Sequence, residues 1–474
     1  MSWKDDKDLG SWEFTEQPDK WGYLNNPRWS NKPKADDDPM SATEFCEENG
    51  IAIEPENQHI PCGHWHKHPA TYISPINIKS YDWWQPSVDV KEGVIGMVPQ
   101  CYQGDDDKDA IVGMIYDVAT GTWKCLGYEN VLILYGVPQT ARLSGTYLAF
   151  YCTCWAYDWY GMTGDSEEKK FYGRLYVFEE GEEPRYTDVW SCDYDTGTPY
   201  YINDGYYYNM MDCVGNRIAC LAWVTKIDGV YYRRFMMKIS EDAGLTFPVE
   251  FSFPDVYVAA SGYDMNCEVR MSEDGVIWAC FLYYTPTAQG VQIYKSNSDV
   301  DSMDLIWSKD YYSDTGTQYC TSFGFDISNE DGEHITISLR KGFSSLYDKV
   351  IYTSDDYGSS FTTQTYESSD YRMYSIITAE KQYVNIWGRK DDGYVYGFLR
   401  SSDYAANFSF VDPTPADISH SYADMQKHLN EIIYAECGES YTASDYQELL
   451  YSDDYGREYF LYGNGQGTTH GGGG

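Results

Sequence analysis

The sequence predicts an all-β fold: a ring of seven four-stranded antiparallel blades, a β-propeller, with six blades as the alternative count. Three observations carry this. A Ser-Asp turn behind an apolar strand recurs every fifty-odd residues. A polar turn followed by a buried-type strand recurs out of phase with it. The composition, 48 tyrosines and 41 glycines in 474 residues, suits twisted strands joined by tight turns.

Residues 1–69 read as an extended arm. Trp3, Trp12, Trp21 and Trp29 recur every eight or nine residues, a spacing that belongs to neither a helix nor a strand. They are expected to dock one at a time into grooves, either of this protein or of another structural subunit. The arm ends in "HIPCGHWHKH" (59–68), which holds His59, Cys62, His64, His66 and His68. His64, His66 and His68 alternate, so an extended segment presents them on one face. Imidazoles with a thiolate suit Zn²⁺ or another transition metal, expected here as a structural clip. The spacing is that of no standard zinc finger, and a polar loop at the arm junction is the competing reading.

Residues 70–463 hold the repeats, and the Gly-rich segment 464–474 reads as a flexible tail. The turn copies are "MKISEDAGLTF", "IYKSNSDVDSMDLIW", "IYTSDDYGSSF", "FLRSSDYAANFSF" and "LLYSDDYGREYF". Their serines, Ser240, Ser296, Ser354, Ser401 and Ser452, lie 56, 58, 47 and 51 residues apart. "LYVFEEGEEPRY" and "IYDVATGTW" extend the series backwards as degenerate copies. The second element runs "LSGTYLAFYCTCW", "VGNRIACLAW", "SEDGVIWACFLYY", "NEDGEHITISLR", "AEKQYVNIWGR" and "LNEIIYAEC". Two such elements per repeat make four short strands, A to D. A ring of four-stranded units protects its edges, which a linear stack leaves open.

The turn itself, S-x-D-x-G-x-[ST]-[FW], resembles the Asp-box of the sialidase-like (BNR-repeat) propellers. "SEDAGLTF" and "SDDYGSSF" match it, while "SDDYGREYF" and "SSDYAANF" come close. The physical reading is a staple. Asp242, Asp356 and Asp454 are placed to accept backbone N–H groups of their own turns beside Ser240, Ser354 and Ser452. Gly244, Gly358 and Gly456 allow positive φ. Phe247 and Phe361 are placed to plug the hairpin. The resemblance implies a fold and not an activity. Its members grip a carboxylate with three arginines, one in an early Arg-Ile-Pro. Here the nearest string is Arg217-Ile218-Ala219, in a chain with only 13 arginines.

The phase of the repeat separates two faces. The Ser-Asp turns are C–D turns and the "EDG" turns are A–B turns, so one face of the ring is short-turned scaffold. The other face receives the B–C and D–A loops. These carry Trp155, Tyr157, Trp159 and Tyr160, then Tyr200 and Tyr201, then Tyr284 and Tyr312. Aromatic planes among Asp and Asn suit a glycan, or a protein surface. Asp-rich stretches at 105–109, Asp193/Asp195 and 299–304 are candidate Ca²⁺ loops, with plain solvated turns as the alternative.

Composition bounds the function. A net charge of −40 argues against nucleic acid, which needs clustered cations. The longest aliphatic run, "VLILYGV", is short for a bilayer, so no membrane insertion is expected. The 13 cysteines are irregularly spaced, and Cys152, Cys154, Cys220 and Cys280 sit within apolar runs as buried free thiols. With no secretory leader at the N-terminus, this suits synthesis in a reducing cytosol. The resulting expectation is a non-enzymatic recognition and structural propeller. It would be a virus or phage virion component (decoration, tail or receptor-binding protein) that binds host glycan or protein through its aromatic loops and attaches through its arm. The alternatives are a glycoside hydrolase or lyase, which needs two converging carboxylates, or an intracellular protein scaffold.

Overall fold

The computed structural model describes residues 11–13, 28–30, 87–98, 100–103, 108–120, 122–131, 139–156, 170–193, 200–202, 210–227, 231–254, 256–257, 267–284, 289–310, 320–341, 348–366, 371–390, 395–411, 423–437, 447–457 and 460–464. Seven antiparallel sheets follow one another along the chain, at 88–131, 139–193, 200–257, 267–310, 320–366, 371–411 and 423–464, as blades 1 to 7. The chain is a seven-bladed β-propeller. In each blade the first (A) strand lies innermost, and the A strands of successive blades touch. The last contact of the circle is between Val88–Lys91 of blade 1 and Ala423–His428 of blade 7.

Small departures from four plain strands follow from interruptions. In blade 1, Val94–Met97 and Gln100–Gln103 both pair with Lys108–Asp117, as one strand broken near Val98. In blade 3, Tyr200–Ile202 and Met211–Val214 share the partner Arg217–Ile227. Apart from the ring, Ser11–Glu13 pairs with Arg28–Ser30, which sets Trp12 opposite Trp29. Trp3 and Trp21 lie outside the described residues.

Packing explains the unbroken apolar runs in the second strands of blades 2 to 4, at 148–152, 218–222 and 277–282. Each blade is covered on both faces by its neighbours, so alternation is lost. Ile277, Trp278, Ala279, Cys280, Phe281 and Leu282 in blade 4 are all buried. The outermost strand has one wet face, and Val249–Ser252 alternates between half-buried and exposed. Aromatic residues wedge between blades: Trp387 of blade 6 lies 4.4 Å from Tyr434 of blade 7. Gly332 (φ 72°) lets a turn of blade 5 pass so close to Trp278 of blade 4 that a Cβ would sit 2.7 Å from the indole. Cys152, Cys213, Cys220, Cys267 and Cys280 are buried free thiols, and burial pushes the last four well above the usual thiol range.

The C–D turns repeat one hydrogen-bond pattern. Ser240 Oγ donates to Asp242 Oδ1 (2.7 Å) and accepts from Gly244 N (2.8 Å). Thr246 N and Thr246 Oγ1 donate to the two oxygens of Asp242. Ser354 with Asp356, Gly358 and Ser360 reproduces this. So do Ser401 with Asp403, Ala405 and Asn407, and Ser452 with Asp454 and Gly456. The copy at Ser296 lacks the aspartate two residues on. There Asn297 Oδ1 takes the turn's N–H groups, from Asp301 and Ser302. Phe361 lies 4.3 Å from Trp307 of the preceding blade, and Phe247 packs against the core.

Candidate functional site

The ring's axis is lined by the A strands, and in blades 1 to 5 their inward positions carry charge. In the layer of the A strands below the A–B turns stand Asp89, Arg142, Asp212, Arg270, Asp326, Thr378 and Gln426, from blades 1 to 7 in order. Burying so many ionised groups is costly unless each is paired and hydrogen-bonded. The sequence meets that requirement with one charge-assisted link at every junction of the ring.

Asp89 accepts from Leu143 N of blade 2 at 2.7 Å. Arg142 Nε donates to Asp212 Oδ1 of blade 3 at 3.2 Å. Asp212 Oδ2 accepts from Met271 N of blade 4 at 2.7 Å. Arg270 Nε donates to Asp326 Oδ1 of blade 5 at 2.8 Å, and Asp326 Oδ2 accepts from Ala379 N of blade 6 at 2.7 Å. Lys427 of blade 7 donates to Glu380 of blade 6 at 2.9 Å. Asp424 closes the circle by accepting from Val88 N of blade 1 at 3.2 Å. The cavity left inside this belt measures about 40 Å³. That is room for a few waters and far below the volume of a sugar ring.

Burial governs the belt's electrostatics. Asp89 is pushed up to about 6, because loss of water outweighs the help of Arg142 and of the Leu143 amide. Arg270, held between Asp326 and Glu268, is raised in spite of burial. Near the belt, Thr378 Oγ1 and, beside the Lys427 link, Glu380 Oε1 are buried polar atoms with no hydrogen-bond partner.

A second layer closes the mouth on the short-turn face. Glu273, in the A–B turn of blade 4, receives Lys91 Nζ of blade 1 at 2.8 Å and lies 3.1 Å from His428 Nε2 of blade 7. Glu431 backs His428 at 3.8 Å and accepts from Tyr451 Oη and Gly93 N, each at 2.7 Å. Lys427 Nζ donates to Asn329 Oδ1 at 2.7 Å and to Ile327 O at 2.8 Å. The hydrogen bond from His428, with help from Lys91, pulls Glu273 down to about 2. Burial disfavours the charged imidazole of His428, but Glu273 and Glu431 overcome it and push its pKa up to about 9.

The residues singled out in the sequence are distributed differently. Trp155 ends the B strand of blade 2, Tyr284 ends that of blade 4, and Tyr200 and Tyr201 open blade 3. The backbone thus sets all four at strand ends on the B–C and D–A side of the ring. Tyr157, Trp159, Tyr160 and Tyr312 lie outside the described residues. The belt is hard to see in the sequence because in "VDVK", "ARLS" and "MDCV" a charge alternates with apolar residues, as a solvent-facing side chain would. The usable signal was a charge recurring two residues before the last residue of the A strand in blades 1 to 3.

The expected metal sites are corrected. Among the described residues, no group of three or more His, Cys, Asp or Glu side chains could hold a metal ion. In the Asp-rich turn at 299–304, Asp301 is engaged by Asn297 Nδ2 at 2.6 Å within its own turn, so carboxylates do not converge there. His59, Cys62, His64, His66 and His68 lie outside the described residues, as do positions 105–107 and Asp195.

No family model matches the sequence, and no curated protein matches it. Solved structures do. The chain is similar to the polysaccharide lyase Uly1, at 12% identity over 86% of this chain and 97% of that one, with a TM-score of 0.45. It is similar to a PL25 ulvan lyase, at 11% identity over 86% and 96%, with a TM-score of 0.46. It is also similar to the β-propeller domain of the Trilobed protease from Pyrococcus furiosus, at 11% identity over 80% and 98%, with a TM-score of 0.43. These likenesses concern the propeller fold. The resemblance of the turns to the Asp-box stays at that same level.

Proposed function

We propose that this chain is a non-enzymatic recognition propeller, with a rigid ring carrying a ligand-binding rim on the B–C and D–A side. The observation that supports this reading is the commitment of the axis. Its buried acids and bases bond to neighbouring blades, and the space between them is about 40 Å³. A propeller whose axis is spent on holding blades together recognises partners with its loops. On that side the chain sets Trp155, Tyr200, Tyr201 and Tyr284, and the favoured ligand is a glycan, stacked on aromatic planes. Residues 1–69 are proposed as the attachment arm to other structural subunits.

A polysaccharide-cleaving activity is the second reading. The observation favouring it is the meeting of Glu273, Lys91 and His428 at the partly exposed mouth of the axis. One experiment separates the two. The purified protein is applied to a glycan array, and retained glycans are then incubated with it in solution and analysed by mass spectrometry. Retention of intact glycan, weakened at least tenfold by Trp155→Ala with Tyr201→Ala, is the expected result. Shortened or unsaturated products that disappear in Glu273→Gln would overturn it in favour of the enzyme.

A further inference from the structure

Six of the seven blade junctions are crossed by the chain itself. The seventh, between blades 7 and 1, is not, and among the described residues no strand is shared between the two sheets. The junction is closed by contact of the A strands and by side chains that grip backbone: Asp424 on Val88 N and Glu431 on Gly93 N. An uncrossed junction is where a ring opens at least cost, because opening it releases no covalent loop.

The turn that reaches this seam comes from the far side. In ring order blade 4 stands opposite the 7–1 junction. Its A–B turn is also longer than most. Residues 272–276 separate the last pair, Met271 and Ile277, where two residues suffice in blades 1, 2, 3, 6 and 7. The longer turn is stiffened from within and from both neighbours. Ser272 Oγ donates to Asp274 Oδ1 at 2.5 Å, and Gly275 N donates to Ser272 O at 2.7 Å. Arg217 Nη1 of blade 3 donates to Gly275 O, and Glu273 N donates to Asn329 O of blade 5, each at 2.6 Å. The tip so held is Glu273, and its two partners, Lys91 and His428, lie one on each side of the seam.

We propose that Glu273 is a cross-axis latch: anchored in the blade farthest from the seam, it clamps blades 1 and 7 together, and its release opens the ring there before any other junction. The titratable groups facing it are Lys91 from blade 1 and His428, backed by Glu431 and Tyr451, from blade 7, with Asp89 and Cys213 behind Lys91. The clamp is an ion pair on each side while His428 keeps its proton. It weakens on the blade 7 side as pH rises through about 9.

Hydrogen exchange on the full chain tests this. In Glu273→Gln, amides of 88–97 and 423–436 are expected to exchange at least tenfold faster than in the wild type. Those of 218–222 and 277–282, in blades 3 and 4, should stay within twofold. Equal acceleration everywhere, or none at the seam, overturns the proposal. If Glu273→Gln does not fold, the wild type is read instead between pH 6 and 10. The ratio of seam to blade 4 protection, corrected for intrinsic rates, should fall through pH 9, and a flat ratio overturns the latch.

Discussion

Replacing Lys427 by methionine keeps the stem and removes the charge. The ammonium donates to Ile327 O, Asn329 Oδ1 and Glu380 Oε2, and lies 3.6 Å from Asp326 Oδ2. Only 4% of the side chain is exposed. Without it, Glu380 is a buried carboxylate with one oxygen already unpartnered. Breaking a buried pair from one side costs about 3–5 kcal/mol. With an unfolding entropy of ~2.1 cal/mol/K per residue over roughly 380 propeller residues, the slope is about 0.8 kcal/mol per kelvin. Scanning calorimetry should therefore show Tm about 4–6 °C lower for the single variant. Adding Glu380→Gln removes the stranded charge and should recover at least half of the loss. A single variant within about 1 °C of wild type, or a double variant no better than the single, would refute the claim that this link holds blades 6 and 7.

Other outcomes follow from the same bonds. Ser354→Ala strands the buried Gly358 N–H and should cost about 2 kcal/mol by thermal denaturation, with glycan retention unchanged. Gly332→Ala combines φ of 72° with a 2.7 Å approach to Trp278, so it should destabilise by about 2–4 kcal/mol and shift the buried-tryptophan emission. Stability measured against pH should carry three signatures. His428 has a raised folded pKa, so its contribution is full below its ordinary 6.5 and lost as pH rises through about 9. Glu273 has a lowered one, so its contribution is full above its ordinary 4.5 and lost as pH falls through about 2. Asp89, raised, gives stability that is full below 3.8 and gone above about 6, which Asp89→Asn should abolish in a urea titration at each pH.

The sequence made the blades legible because their turns are local devices. Ser354, Asp356 and Gly358 lie within five residues of one another and bond to one another. Their spacing then sets the phase of the strands, and with it which rim bears short turns. The copy at Ser296 shows the limit of such reading, since the staple there runs through Asn297. The axial belt is non-local. Asp89 and Leu143, or Lys427 and Asn329, meet only once the ring closes, and a lone charge in an alternating strand looks like a wet residue until both faces are covered. Metal ligation by His59, Cys62, His64, His66 and His68 was suggested by residue type and by the alternation of His64, His66 and His68, and spacing without geometry left it unsupported.

Seven is an odd number, and that sets a limit on the axis. Around a closed ring, cation and anion can alternate without fault only when the number of positions is even. From Asp89 the order runs acid, base, acid, base, acid, and a strict continuation would set two aspartates side by side where the circle meets. Neutral Thr378 and Gln426 occupy the mismatch, and the missing cation is supplied from the adjacent layer by Lys427. Parity thus confines the frustration of the ring to blades 6 and 7. A version of this chain with one blade added or removed could alternate fully, with no need of Lys427.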